Sequence, residues 1–293
     1  MISTSYKGSE NMSIKIITDS TSYIPQEYID KYDIKVISLN VVMDLDSRRE
    51  LDIDNITFYD EMDKASEIPK SSQPIPEEML NTMKEILDNG DSIVGIFLSS
   101  KMSGTYSNAC MMKNILLQDY PNANIEIIDS TTNCMQMGFT VIEAARAASE
   151  GKSIEEVVER ANYIINNSRF LFTPETLAYL KKGGRIGGAS ALLGGILQIK
   201  PILTVKDGET SVFKKVRTRK KAVDTLVETF LQDIEEKGLG DVIVHYINCE
   251  EEGAKLAKLL EEKLGRKVKM QSIGPVIGLH VGPGSIGLAY YTK

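Results

Sequence analysis

The stretch from Ser92 to Ser149 constrains this chain most, because it alternates strand and helix signals in a fixed order. Ser92–Leu98 (SIVGIFL) is a continuous apolar run of strand length. The polar segment SSKMSGTYS follows, then a helical pattern through Leu116, then the strand pattern Ile125-Glu126-Ile127-Ile128. Asp129-Ser130-Thr131-Thr132 precedes a second helical pattern reaching about Ser149. Strand, helix, strand, helix predicts a parallel sheet with helices on its faces. Ile14–Thr18, a short β-branched run ending in Asp19-Ser20-Thr21-Ser22, adds another strand. In open α/β sheets, ligands bind beyond the carboxyl ends of the strands. Three such ends carry hydroxyl-rich loops here: TDSTS, SSKMSGTYS and DSTT.

The remaining pattern extends this picture. PQEYIDKY reads as a short amphipathic helix and residues 35–43 as a strand region. Pro76-Glu77-Glu78 opens an amphipathic helix that Asn89-Gly90 closes. Ser153 with Glu156 three residues on has the form of a capping box and predicts a helix to about Asn167. After Ser168 the character changes. Arg169–Phe172 reads as a strand, and Pro174 starts a short helix ending at Lys181-Lys182-Gly183-Gly184. Strands with a turn at Asp207-Gly208 follow, then helices around 217–236 and 250–264 with a strand at Val242–Tyr246 between them. The expected architecture is therefore α/β: residues 1–11 a flexible extension, 12–166 an N-terminal parallel-sheet domain, and 167–293 a smaller C-terminal α+β domain. The last twenty or so residues are expected to return to a site between the two domains.

Composition matters mainly for what it removes. No apolar run approaches the roughly 20 residues that span a bilayer. Three widely spaced cysteines without C-x-x-C argue against a disulfide framework or zinc ribbon, and a reducing cytoplasm is the expected compartment. A net charge of −7 disfavours nucleic acid as a partner. Gly282–Gly287 matches G-x-G-x-x-G in letters, but the chain ends at Lys293, without the helix and acid a dinucleotide site needs. P-loop and G-x-S-x-G patterns are absent, and neither histidine has metal-ligand spacing.

Several residues remain as candidates for chemistry. Ser99, Ser100, Ser103, Thr105 and Ser107 follow a strand, with Gly104 among them. Such hydroxyls serve as caps and turn bonds, and equally bind a carboxylate or phosphate at a helix start. Lys70-Ser71-Ser72-Gln73-Pro74 is a second hydroxyl pair before a helix. His280 lies in a Gly- and Pro-rich stretch read as a loop, while His245 sits inside an apolar strand pattern as a core residue. From Gly183 to Gly195 there are six glycines in thirteen residues, with Arg185 as a candidate phosphate or partner contact. Six cations in eight residues around Arg217 mark a solvated face or a docking patch.

Taken in order, these motifs carry a resemblance. I-T-D-S-T-S at 17–22, K-S-S-Q-P at 70–74, L-S-S-K-M-S-G-T-Y-S-N-A at 98–109 and I-D-S at 128–130 are followed by three more. These are L-A-Y-L-K-K-G-G-R-I-G at 177–187, V-R-T-R-K-K-A at 216–222 and H-V-G-P-G at 280–284. The set, spanning residues 12–293, resembles the DegV family; Ser71-Ser72 stands where that family often has Thr-Ser. The resemblance implies a two-domain fold holding a long-chain fatty acid between the domains. It further implies that the protein presents the fatty acid to a separate ATP-binding kinase subunit for acyl-phosphate formation, in support of phospholipid synthesis. The protein itself is then a carrier without an ATP site, needing no cofactor, with transient membrane-surface contact left open.

Under that reading Ser72, Ser103, the Gly104 N–H and His280 converge on the carboxylate. Arg185 contacts the acyl phosphate or gates the site, and Arg217 docks the kinase. No residue is assigned a catalytic role and none a metal. A tail of about 16 carbons buries about 14 methylenes, a gross gain of about 11 kcal/mol before association costs. Ile186, Leu192, Leu193, Ile196, Leu197 and Ile199 are the expected tail contacts. The alternative is a self-contained hydrolase acting on a lipid or ester, with Ser103 as nucleophile and His280 as base.

Overall fold

The structure is a computed structural model describing residues 13–43, 46–65, 67–193 and 199–293. The expected extension 1–11 and the expected tail contacts Ile196 and Leu197 lie outside the described residues. In chain order the first half comprises β1 (Ile14–Asp19), α1 (Gln26–Tyr32), β2 (Lys35–Ile37), β3 (Asn40–Met43), β4 (Asp46–Arg49), α2 (Asn55–Lys64) and β5 (Lys70–Ser72). It continues with α3 (Pro76–Asp88), β6 (Ser92–Phe97), α4 (Thr105–Asp119), β7 (Ile125–Asp129), α5 (Cys134–Ser149) and α6 (Ile154–Asn167). The second half comprises β8 (Ser168–Thr173), α7 (Ala178–Lys182), β9 (Lys200–Lys206), β10 (Glu209–Val216), α8 (Arg219–Lys237), β11 (Leu239–Ile247), α9 (Glu250–Leu264), β12 (Lys269–Ser272), α10 (Pro275–Val281) and β13 (Ser285–Thr292).

The described residues form three sheets. β2-β1-β6-β7 is the expected parallel sheet. β6 is buried along its whole length, as a strand covered on both faces must be. A Cβ at Gly95, in the middle of that strand, would fall 2.7 Å from the Phe97 ring and 2.9 Å from Ile127, so only glycine fits. The second sheet has the order β10-β9-β8-β13-β11-β12 and is antiparallel except for β11 with β12. α5 lies between these two sheets and is buried nearly all round, with small residues such as Gly138, Ala144 and Ala145. Its middle position unites both sheets in one core. Thus a parallel-sheet N-terminal part and a second sheet-rich part together give the α/β class expected from sequence.

Local signals explain several helix starts. Ser153 and Glu156 form the capping box of α6. Pro76 sits in the first turn of α3, and Thr218 accepts the Lys221 N–H to cap α8.

Four departures matter for the site. Residues 35–43 are two strands in different sheets, because Ser20 Oγ takes the Leu39 N–H at 3.0 Å and Ser38 Oγ takes the Leu51 N–H at 3.2 Å, turning the chain. β3 then joins β4 and β5 in a three-stranded antiparallel sheet that the sequence pattern did not show. His280 lies in the last turn of the short helix α10 rather than in a loop. The chain's last segment forms β13, a central strand of the second sheet, immediately after that helix. No helix among the described residues is long and apolar enough to cross a membrane.

Candidate functional site

A cavity of about 300 Å³ opens where β5, the loop before α4, the Gly-rich segment after α7, and α10 meet. Ser103, Gly104, Arg185, His280 and Ser72 all border it; Arg217 is exposed elsewhere and does not. The hydroxyl that meets His280 is that of Ser71, one residue before the expected Ser72. Ser71 Oγ lies 2.8 Å from His280 Nε2. Successive residues of a strand face opposite sides, so only one of the two serines can point at α10.

The contacts form a contiguous polar rim. Arg185 donates from Nη1 to the Gly183 carbonyl at 2.8 Å and from Nε to the Met102 carbonyl at 3.3 Å, tying the Gly-rich segment to the loop before α4. Gly183 in turn lies against the His280 ring, where a Cβ would fall 2.3 Å from Nδ1. Ser103 Oγ pairs with Thr105 Oγ1 at 2.9 Å and accepts the Thr105 N–H at 3.3 Å. Gly104 precedes the first residue of α4, and a Cβ there would meet Gln73 Oε1 at 2.9 Å. Its role is therefore space rather than backbone freedom.

Two features of the rim are unsatisfied. His280 is buried, yet its Nδ1 has no hydrogen-bond partner among the described residues. Burial, and secondly the Arg185 charge, lower its pKa to about 4, so the ring is neutral at pH 7. The Arg185 guanidinium forms no ion pair among the described residues and is an uncompensated cation at the mouth. Buried polar atoms are nearly always paired, so an orphan in a cavity wall marks a place for a ligand.

Beyond the rim the wall is apolar: Leu98, Phe170, Phe172, Ile247, Ile277 and Ile286 are among its members. Leu98 directly follows β6 and the others come from β8, β11, β13 and α10; none belongs to the segment expected to hold a tail. Ile186, Leu192 and Ile199 pack in the core instead, and Leu193 is exposed. The reason is topological, since the second sheet's inner face forms one side of the cavity. Phe170 and Phe172 project from alternate positions of β8 onto that face and stack at 5.0 Å. His245 also borders the cavity, but both its nitrogens are engaged, as expected for a core histidine. Nε2 accepts the Met135 N–H at 3.1 Å, and Nδ1 donates to the Gln271 carbonyl at 3.0 Å.

A residue of the V-R-T-R-K-K-A motif braces a segment next to the site. Arg219 donates to the Thr173 carbonyl at 2.9 Å and to the Gly284 carbonyl, and pairs with Glu252 at 2.9 Å. It ties the turn after α10 to the end of β8. The charge cluster hid these contacts, because one half-buried arginine among six cations leaves no local signal.

Fold and cavity together define the class: an α/β protein whose parallel and mixed sheets share one core, with a pocket that is polar at its rim and largely apolar within. The chain belongs to the DegV family, whose model, described as "Uncharacterised protein, DegV family", matches residues 13–293. It is 51% identical over 282 residues to a DegV domain-containing protein of Clostridium acetobutylicum, covering 96% of this chain and 99% of that one. Among solved structures, a fat acid (stearic acid)-binding protein from Eubacterium ventriosum matches with a TM-score of 0.88 at 30% identity, covering 96% and 98% of the two chains. DegV, a fatty acid binding protein from Bacillus subtilis, matches with a TM-score of 0.87 at 34% identity, covering 96% and 100%. Fatty-acid binding is thus a property of proteins in this family.

Proposed function

We propose that this protein binds one long-chain fatty acid with its tail among Phe170, Phe172, Ile247 and Ile286 and its carboxylate at the rim. The observation that carries this reading is the pairing of an apolar cavity with an uncompensated guanidinium and an orphaned histidine nitrogen at one place. Ser71 can donate its hydroxyl proton to Nε2, which leaves Nδ1–H as a donor for a carboxylate oxygen. Gly183 covers Nδ1, so the Gly-rich segment must shift for that bond to form, and the segment then acts as the gate. Ser103, the Gly104 N–H and Ser72 complete the donor set, and Arg185 neutralises the charge.

The carboxylate would then be offered to a separate ATP-binding kinase subunit, which docks at the cationic face around Arg217 and forms the acyl phosphate for phospholipid synthesis. In this role the chain is a carrier working in the cytoplasm without a cofactor. We take residues 12–166 and 167–293 as its two domains, a boundary one residue before the end of α6, which the change from α6 to β8 supports. The hydrolase alternative fares less well. Ser103 bonds Thr105, not His280, and among the described residues the second nitrogen of His280 has no carboxylate to orient it.

Mass spectrometry of the protein and of its extracted small molecules tests the binding step. About one equivalent of a long-chain fatty acid, or stoichiometric uptake of added stearate, is expected. A protein that takes up none contradicts it. Phosphorylation of the bound acid by ATP in the presence of a purified kinase subunit, lost in Arg217→Glu with binding intact, tests the presenting step.

A further inference from the structure

The I-T-D-S-T-S segment was expected to line the site with hydroxyls, but it lies behind it. Ser20, Thr21 and Ser22 are buried and do not border the main cavity. Ser20 instead donates to one oxygen of Glu50, a carboxyl that is itself buried at the end of β4. The other oxygen of Glu50 accepts the Tyr23 hydroxyl at 2.8 Å and the Val276 N–H at 2.8 Å. The Tyr23 oxygen in turn accepts the Ile277 N–H at 3.2 Å. One carboxyl therefore reaches from the N-terminal half into the first turn of α10.

That helix needs outside support. It has seven residues, too few to be stable alone, and every one is buried. Val276 and His280 are four residues apart and share a face on successive turns. A displacement of the first turn therefore moves the imidazole. Two glycines let the polar groups approach so closely. A Cβ at Gly274 would fall 2.8 Å from Glu50 Oε1, and one at Gly278 would fall 1.8 Å from the Tyr59 hydroxyl.

We infer that Glu50 is a positioning residue for His280: by holding the first turn of α10 through Val276 and Tyr23, it sets the imidazole against Ser71 and the lipid carboxylate. The inference rests on the fatty-acid reading only for its last clause. The position of the imidazole is a property of the lipid-free protein.

The test uses the full chain with Glu50→Ala and Glu50→Gln, stearate as the probe ligand, and imidazole NMR of the lipid-free proteins. The chain has two histidines, so His245 serves as an internal reference. Glu50→Ala is expected to move the His280 signals, leave those of His245, and weaken stearate binding about tenfold. Glu50→Gln keeps an acceptor for the Val276 N–H and is expected to restore both. An unmoved His280 signal in Glu50→Ala overturns the inference, as does an equal shift of both histidines or a failure of Gln to rescue. Should Glu50→Ala not fold, Tyr23→Phe decides, since it removes only a hydroxyl: a moved His280 signal supports the inference and an unmoved one overturns it. A wild-type chain that binds no stearate refutes the fatty-acid reading instead, and the histidine signals still decide the role of Glu50.

Discussion

His245 and His280 border the same cavity, are both buried, and both have their pKa lowered to about 4, chiefly by burial. They differ in what their nitrogens touch. His245 is saturated, joining the start of α5 to β12 through one accepted and one donated bond. His280 has one hydroxyl partner, an orphaned nitrogen and a cation nearby. Burial and pKa do not separate a structural histidine from a binding one; completeness of hydrogen bonding does. One ring spends its polar capacity on the fold, and the other keeps part of it for a ligand.

Breaking the saturated side should have the largest effect. His245→Leu leaves the Met135 N–H buried without an acceptor, and is expected to cost about 2–4 kcal/mol in urea unfolding. If it unfolds at the wild-type midpoint, the structural assignment fails.

A pH series sharpens the comparison through the two acids behind the site. Both histidines bind protons in the unfolded chain before the folded one, so their contribution to stability falls as pH drops from about 6.5 to about 4. Burial raises Asp19 to about 6 and Glu50 to about 7, so these carboxyls hold protons in the folded chain that the unfolded chain has lost. Their contribution has the opposite sign and falls as pH rises over an overlapping window. Glu50→Gln removes one opposing term. It should lose stability more steeply than wild type on acidification from pH 6.5 to 4.5, by on the order of 2 kcal/mol. Parallel stability curves for the two proteins would contradict the balance.

On the binding side, His280→Ala should weaken stearate binding about tenfold while changing unfolding stability by less than about 1 kcal/mol. A stability loss as large as that of His245→Leu would erase the distinction. The smallest effect belongs to Arg185→Ala, a mouth-exposed cation. It should weaken stearate binding about threefold, with the difference shrinking at high salt. A salt-independent loss would mean that the guanidinium acts through its carbonyl bonds instead.

The β6–α4–β7–α5 unit was legible because local periodicity and caps specify it. Ser103, Gly104, Arg185 and His280 were legible as motif residues, and all four border one cavity. That Ser71 rather than Ser72 meets His280 was not legible, because the facing of a three-residue strand depends on its partner β3, which no local pattern reveals. The apolar wall of the cavity was hidden for a related reason. Phe170, Ile247 and Ile286 are distant in sequence and meet only when β13 inserts between β8 and β11. Glu50 left no signal at all. It sits in the charged run Ser47-Arg48-Arg49-Glu50, where an acid reads as exposed, and its burial follows from a pairing with α10 more than two hundred residues away.

The most direct test is an NMR titration of stearate labelled with carbon-13 at its carboxyl, using the wild-type chain and His280→Ala. A single bound carboxyl resonance is expected in the wild type, with a different shift in the variant, while His245→Phe leaves the wild-type shift unchanged. No bound resonance in the wild type, or the same resonance in His280→Ala, would contradict the placement of a fatty-acid carboxylate at His280.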